Sequence, residues 1–347
     1  MKKIGYVVFG VILFVAFQTY FFGHMVPWNP PKDKGIKKNK LLIKTKTFLH
    51  NVGKGPEDIA IDKLGRVYVG LKDGRIIRHD RSKKEIKVLA KTEGRPLGLH
   101  LDHDENLIVA DAIKGLLKID SSGKITHLFS KFNGKEMPFL DDVTMGKDGT
   151  LYFTQASAKY SLSEHTKDFL YHMGTGKVFS LKPSGKVELL MEGLHFANGI
   201  AVDPKQEYLL INETGKYRVW KYDLKTGTKK VILENLPGFP DGISSNGKGI
   251  FWLALIDKRD VLLDTILPFP FIRSLLLLLP TFLNPPRPKQ GFVLGIDETG
   301  KILYDFQDPE GKVFPAVTSI QQFGDDLYLG SLRNKFYGVF ALEKKDN

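Results

Sequence analysis

From Leu41 onward the apolar positions fall into short runs separated by turn residues, and the arrangement repeats. Each repeat reads as a loop, a first apolar stretch, a tight turn with Gly or Asp, and a second, more strongly apolar stretch. Six segments carry it: "GPEDIAIDKLGRVYVG", "GRPLGLHLDHDENLIVAD", "FLDDVTMGKDGTLYFT", "HFANGIAVDPKQEYLLIN", "FPDGISSNGKGIFWLAL" and "FPAVTSIQQFGDDLYLGS". Short apolar runs bounded by such turns predict β-strands. The first buried aliphatics align as Ile59, Leu99, Val143, Ile200, Ile243 and Ile320, at separations of 40, 44, 57, 43 and 77 residues. Periods of about 40–50 residues with room for four strands indicate propeller blades. "GRIIRHD", "GLLKID", "GKVFSLK" and "YRVWKYDL" supply outer strands. The expected fold is all-β, a six-bladed β-propeller over residues 41–347. No long amphipathic helix is expected before residue 260.

Two stretches break the pattern. Ile4 to Phe22, "IGYVVFGVILFVAFQTYFF", runs for nineteen residues without a charge. That is long enough to cross a bilayer as a helix, and no small-x-small cleavage site follows it. The expectation is a short tail at 1–3, a transmembrane anchor at 4–22 and a basic tether at 23–40, with Trp28 suited to a membrane–water interface. The second stretch is a hydrophobic insertion near 259–290, inside the 77-residue interval, with leucines at 275–279. Its apolar run is too short to span a membrane. It can cover the channel mouth as a short helix, dip into the bilayer, or pack on the outer blades.

The absence of cysteine removes disulfides, thiolate metal sites and cysteine nucleophiles. The net charge is +12, and residues 1–40 hold seven lysines against Asp33. No RNP-like motif or basic recognition helix accompanies it, so nucleic acid is not an expected partner. The lysines after the span favour a cytosolic body by the positive-inside rule. The span's place at the extreme N-terminus, where it acts as a signal-anchor, favours the opposite.

The chemistry lies two residues before each aligned aliphatic, at Glu57, Leu97, Asp141, Asn198, Asp241 and Thr318. Rotation about a propeller axis gathers these positions at one mouth of the central channel. Three carboxylates there repel one another and are costly to desolvate. A bound cation removes that cost. The donors are all oxygens, so a hard cation is implied, and Ca2+ tolerates such irregular sets. Glu57, Asp141, Asn198 and Asp241 are the expected metal ligands. Asp58 and Asp142 adjoin them, as orienting partners or as turn caps. His195, three before Asn198, is a candidate proton carrier or a plain loop residue. Asn212-Glu213-Thr214 is an acceptor sequon or simply a strand-end turn.

This ladder resembles that of the six-bladed calcium propellers, gluconolactonases and paraoxonases among them. "RPLGL", "VADAIKGLLKID", "DGTLYFT", "NETGKYRVWKYDL" and "LPGFPDGI" resemble, more closely, the strictosidine synthase-like family, which has a membrane-anchored animal member. The resemblance spans about residues 50–340. It implies a calcium-dependent hydrolase of esters or lactones, arylesterase- or lactonase-like, with Asp241 as the base that activates water. It also implies an outward-facing body, so the expected protein is single-pass with an extracytoplasmic propeller, whether periplasmic, extracellular or lumenal. The expected partners are a small-molecule ester or lactone and the membrane, through the N-terminal helix and the insertion. Two departures stand out. Leu97 occupies the place of a paraoxonase histidine, and Thr318 the neighbourhood of the glutamate used by strictosidine synthase. The alternatives are a non-catalytic, membrane-tethered ligand- or protein-binding propeller with structural calcium, and a condensing lyase of the strictosidine type.

Overall fold

The computed structural model describes residues 25–33, 35–278 and 289–343. The expected anchor and the short tail lie outside them. Among the described residues, no helix is long and apolar enough to cross a membrane.

Six four-stranded antiparallel sheets form the expected propeller. Their innermost strands are Ile59–Ile61, Pro96–Leu101, Leu140–Met145, Ala197–Val202, Gly238–Ser245 and Ser319–Phe323 in blades 1 to 6. Each leads outward to a second strand that is almost wholly buried, such as Leu107–Asp111 or Tyr208–Glu213. Blade 6 takes its outermost strand from the other end of the chain, Lys46–Phe48 pairing antiparallel with Tyr337–Ala341. That pairing closes the ring. The turns between first and second strands are held by acceptor side chains: Asp62 accepts from the Leu64 and Arg66 amides, Asp203 from Glu207 and Tyr208.

The core is divided among the seams between blades. Ala60, Tyr68 and Ile76 of blade 1 pack on Leu99, Val109 and Leu117 of blade 2. Val178, Met191 and Leu194 of blade 3 pack on Ile200, Leu209 and Ile211 of blade 4. Each inner strand is therefore fixed by both neighbours, and so is the loop in front of it.

Among the described residues, α-helices occur only in long connections between second and third strands. Helix α1, His165–Tyr171, sits in blade 3; α2, Val261–Ile266, and α3, Pro270–Leu278, sit in blade 5. The second strands end beside the start of the first, as the pairs Leu140–Gln155 and Gly238–Lys258 show. All three helices thus stand at the same end as the ladder; α1, of seven residues, is a short helix and not the long amphipathic one whose absence before residue 260 was expected.

The expected tether is not free. Trp28 donates its amide to the Leu267 carbonyl, and its ring stacks on His172 at 5.0 Å. Arg259 donates to the Pro31 carbonyl and Asn235 to that of Lys32. Asn39 and the Lys37 carbonyl are tied to Asp305 and Gln307 on the outer strand of blade 5. Residues 25–33 and 35–40 form a strap from the ladder end to the flank of blade 5.

Phe153 lies fully buried at the seam of blades 2 and 3 and stacks on Phe179 at 5.5 Å. Phe153→Ala is expected to lower unfolding stability by about 3–5 kcal/mol in urea melts. A loss below about 1 kcal/mol would contradict a core built from seams.

Candidate metal centre

The ladder positions are all buried, Glu57 at 7%, Asp141 and Asn198 at 6% and Asp241 at 5% exposure. Four of them line one end of an axial channel of about 330 Å3, and Asp241 and Leu97 stand beside it without lining it. Its lining includes Glu57, Asp141, Asn198 and Thr318 at this end, and Gln206 and Gly247 at the other. Asn198 hydrogen-bonds Asp241, whose own carboxylate faces Glu57 and Asp141 closely enough to raise both. The structure thus brings the four expected ligands to one mouth. The other two ladder positions serve packing: Thr318 donates its hydroxyl to the Glu57 carbonyl at 2.6 Å, and Leu97 packs on Phe139 and Phe196.

One residue further in, the ring reads Asp58, Gly98, Asp142, Gly199, Gly242 and Ser319. Asp58 accepts from the Ile59 amide and, across the seam, from Leu99 at 2.7 Å. Asp142 repeats this with Val143 and Ile200. These acids are not turn caps. They clamp the inner strand of one blade to that of the next, directly behind the expected ligands. No side chain fits at Gly199, where a Cβ would lie 2.5 Å from the Asp241 carbonyl.

Two residues before the ladder lies a ring that the strand pattern alone did not flag: Gly55, Arg95, Phe139, Phe196, Phe239 and Ala316. Gly55, Phe139, Phe196 and Ala316 all have left-handed backbone, with φ of 71°, 57°, 66° and 54°. For the three non-glycine residues this is strained. It turns the chain sharply into the inner strand and aims the ladder at the axis. Phe139, Phe196 and Phe239 join Phe169 of α1 in an aromatic collar with ring centroids 4.7–5.8 Å apart. "FLDD", "FANG" and "FPDG" show it as an aromatic two places before each ligand. In blade 2 the place belongs to Arg95, which is 4% exposed and donates Nη1 to the Gly55 carbonyl. Its Nη2 is buried without a partner.

The electrostatics follow from this crowding. Burial, then the Asp241 and Asp141 carboxylates, hold Glu57 well above its ordinary range, with Arg95 pulling the other way. Burial, then Asp241 and Asp142, do the same to Asp141. Asp241 is pushed up to about 8, chiefly by burial, against the opposing bond from Asn198. Asp58 rises to about 6 by burial, held down by the Leu99 and Ile59 amides. Asp241 so placed holds its proton near neutrality, and a cation among the three ladder acids would relieve the crowding that raises them. An all-oxygen set with surplus negative charge fits a hard divalent ion. Among the described residues, no three acids or histidines already stand as a metal cage. The donors encircle an opening instead.

His195 is placed differently. Its Nδ1 meets Glu213 Oε1 at 3.2 Å, its ring packs on His172 at 4.1 Å, and it is not part of the channel lining. Burial raises Glu213, but bonds from His195 and Arg218 outweigh it and bring it to about 2. Glu213 therefore holds His195 as a fixed anion. Asn212 of the sequon is wholly buried and donates to the Asp241 carbonyl. It braces the site and does not face solvent.

The comparisons with known proteins agree with this geometry. Residues 67–263 match the SMP-30/Gluconolactonase/LRE-like region and residues 37–79 the strictosidine synthase-like N-terminal region. Protein strictosidine synthase-like 4 of Arabidopsis thaliana is 34% identical over 81% of this chain and 77% of its own. The chain belongs to the strictosidine synthase-like family. Another relative is the adipocyte plasma membrane-associated protein of Gallus gallus, 31% identical over 88% of this chain and 80% of its own. Among solved structures, a gluconolactonase of Xanthomonas campestris superposes with a TM-score of 0.62 at 15% identity, covering 86% of this chain and 89% of that one. A calcium-binding regucalcin of Agrobacterium tumefaciens gives 0.60 at 16%, covering 86% and 92%. These identities establish the propeller and not its chemistry. Within this strictosidine synthase-like chain, the ladder carries the chemical argument.

The raised acids set a pH dependence. Each holds its proton in the folded state at pH values where the unfolded chain has released it. Their contribution to stability is full below the unfolded pKa of about 4 and is lost as pH rises towards the folded values. In chelator, the wild type should lose melting temperature relative to Asp241→Asn between pH 5 and 8, and calcium should abolish the difference. Parallel profiles in chelator would contradict the crowding of Asp241 with its neighbours.

Proposed function

We propose that this protein is a membrane-anchored, calcium-dependent hydrolase of esters or lactones. The observation that carries the reading is the ring of buried, mutually repelling oxygen donors around one channel mouth. Glu57, Asp141, Asn198 and Asp241 would hold the ion. Bound calcium supplies an electrophile for the substrate carbonyl and for the negative oxygen that develops on it. Asp241 takes a proton from the attacking water, with Asn198 fixing its orientation. The hydroxide adds to the carbonyl carbon, the carbon–oxygen bond to the leaving group breaks, and the leaving oxygen needs a proton. Asp241 returns the proton it took, and His195, which Glu213 holds outside the channel lining, is proposed to exchange protons between the mouth and solvent. The collar of Phe139, Phe196 and Phe239 excludes water and gives an acyl chain or lactone ring an apolar wall. Thr318 in place of an acid disfavours the condensing lyase.

The propeller is placed outside the cytosol, where calcium is abundant, with residues 1–3 inside. The relative named as plasma membrane-associated supports a membrane but not a side of it; the calcium requirement and the signal-anchor position favour the outer side over the lysine count.

The test is turnover of a simple aryl ester or lactone by intact cells displaying the full chain. A membrane-impermeant chelator should abolish it. Asp241→Asn, which keeps an oxygen donor and loses a base, should reduce kcat at least about 100-fold. Full turnover in that variant refutes the catalytic role. Absence of turnover in the calcium-loaded wild type favours the non-catalytic propeller. Turnover insensitive to chelator until cells are permeabilised contradicts the topology.

A further inference from the structure

The ladder end of the propeller carries an exposed apolar surface that the hydrolytic reading does not use. Val261 is 79% exposed, Leu262 50%, Phe269 53%, Phe271 44% and Leu275 46%, all on or between α2 and α3. Ile113, 66% exposed, rises from the corresponding connection of blade 2, since its neighbour Asp111 pairs with Pro96. Val26 of the strap adds to them at 43%. Three separate parts of the chain thus contribute large apolar side chains to one face. Solvent-exposed apolar groups gathered this way mark a surface that meets something else.

The surface is also rigidly presented. Arg273 of α3 is wholly buried, donating Nη1 to the Leu170 carbonyl of α1 at 2.7 Å and Nη2 to the Val26 carbonyl of the strap at 2.9 Å. One guanidinium therefore pins both helices and the strap together. The Val26 amide donates to the Tyr171 carbonyl, and Met25 before it is 5% exposed. These contacts fix where the chain leaves the propeller.

That exit point identifies the occupant. Only Gly23 and His24 separate Met25 from the end of the apolar stretch Ile4 to Phe22. Three residue steps span about 10 Å at most. With that stretch in a bilayer, this face has no room to stand clear of the lipid. Exposed lysines on the same face, Lys32 and Lys159, suit anionic headgroups, while Lys167 is paired with Glu164. We propose that the ladder end docks on the surface of a phospholipid bilayer with anionic headgroups, with α2, α3 and the Ile113 loop inserted at the interface. The mouth then faces the membrane, and an amphiphilic molecule reaches it from the lipid side. The inference goes beyond the proposed reaction; it rests on the membrane anchor of that reading and not on its chemistry.

The chain has no cysteine, so single introduced cysteines are unique labelling sites. Full-length protein in nanodiscs with anionic lipid would carry nitroxides at Ile113→Cys, Val261→Cys, Phe271→Cys or Leu275→Cys. Lys147→Cys and Lys248→Cys on turns at the opposite end serve as references. Collision with oxygen against collision with a water-soluble nickel chelate reads immersion, whatever the turnover. The expected result is an oxygen-to-nickel collision ratio several-fold higher at the four ladder-end labels than at the references, falling in purely zwitterionic discs. Equal, water-like ratios at both ends overturn the proposal. So does shielding of the ladder-end labels from both reagents, which means protein covers the patch, whether a second copy or the anchor folded back. A chain that does not incorporate into the discs overturns it as well, and an unchanged ratio in zwitterionic discs overturns the headgroup preference.

Discussion

The mutual repulsion of buried carboxylates at the propeller axis is the constraint from which the rest of this structure is understood. Six blades converge there, and the chain places Glu57, Asp58, Asp141, Asp142 and Asp241 at the convergence. Two of these acids are satisfied by geometry, since Asp58 and Asp142 each accept amides from two adjacent blades. All five are nonetheless raised above their ordinary range, chiefly by burial, and Arg95 offsets Glu57 and Asp141 in part. Burying so much like charge is unfavourable for folding alone. It makes sense where a cation and a reacting oxygen are to be held.

The surroundings support the ring in physical order. The seam cores fix the inner strands. The left-handed turns at Phe139, Phe196 and Ala316 convert the loops into inward-pointing donors. The aromatic collar packs behind the ladder, and Arg273 ties α1, α3 and the strap together at the same end. Burial brings that guanidinium down to about 10, so it remains charged and the latch holds at neutral pH.

Much of this was legible in the chain. The period of the apolar runs gave the blade number, and one offset within the period picked out the acids and the amide that meet at the ladder end. Legibility failed where partners are distant in sequence. A carboxylate before a strand looks the same whether it accepts from its own turn or from the next blade, so the clamps Asp58 and Asp142 were ambiguous. The aromatic collar was in view at constant offset but reads as ordinary core. Helix α1 has seven residues, too few for a periodic signal, and only the 57-residue interval betrayed it. The strap has the lysines and prolines of a free linker, yet Arg259, Arg273 and Asn235, more than 200 residues away, hold its main chain.

A crystal structure of the protein with calcium tests the central claim most directly. The account predicts one ion at the channel mouth, within about 2.3–2.6 Å of oxygens from Glu57, Asp141, Asn198 and Asp241. An empty mouth at saturating calcium, with the three acids hydrogen-bonded to one another and to Arg95, would contradict it.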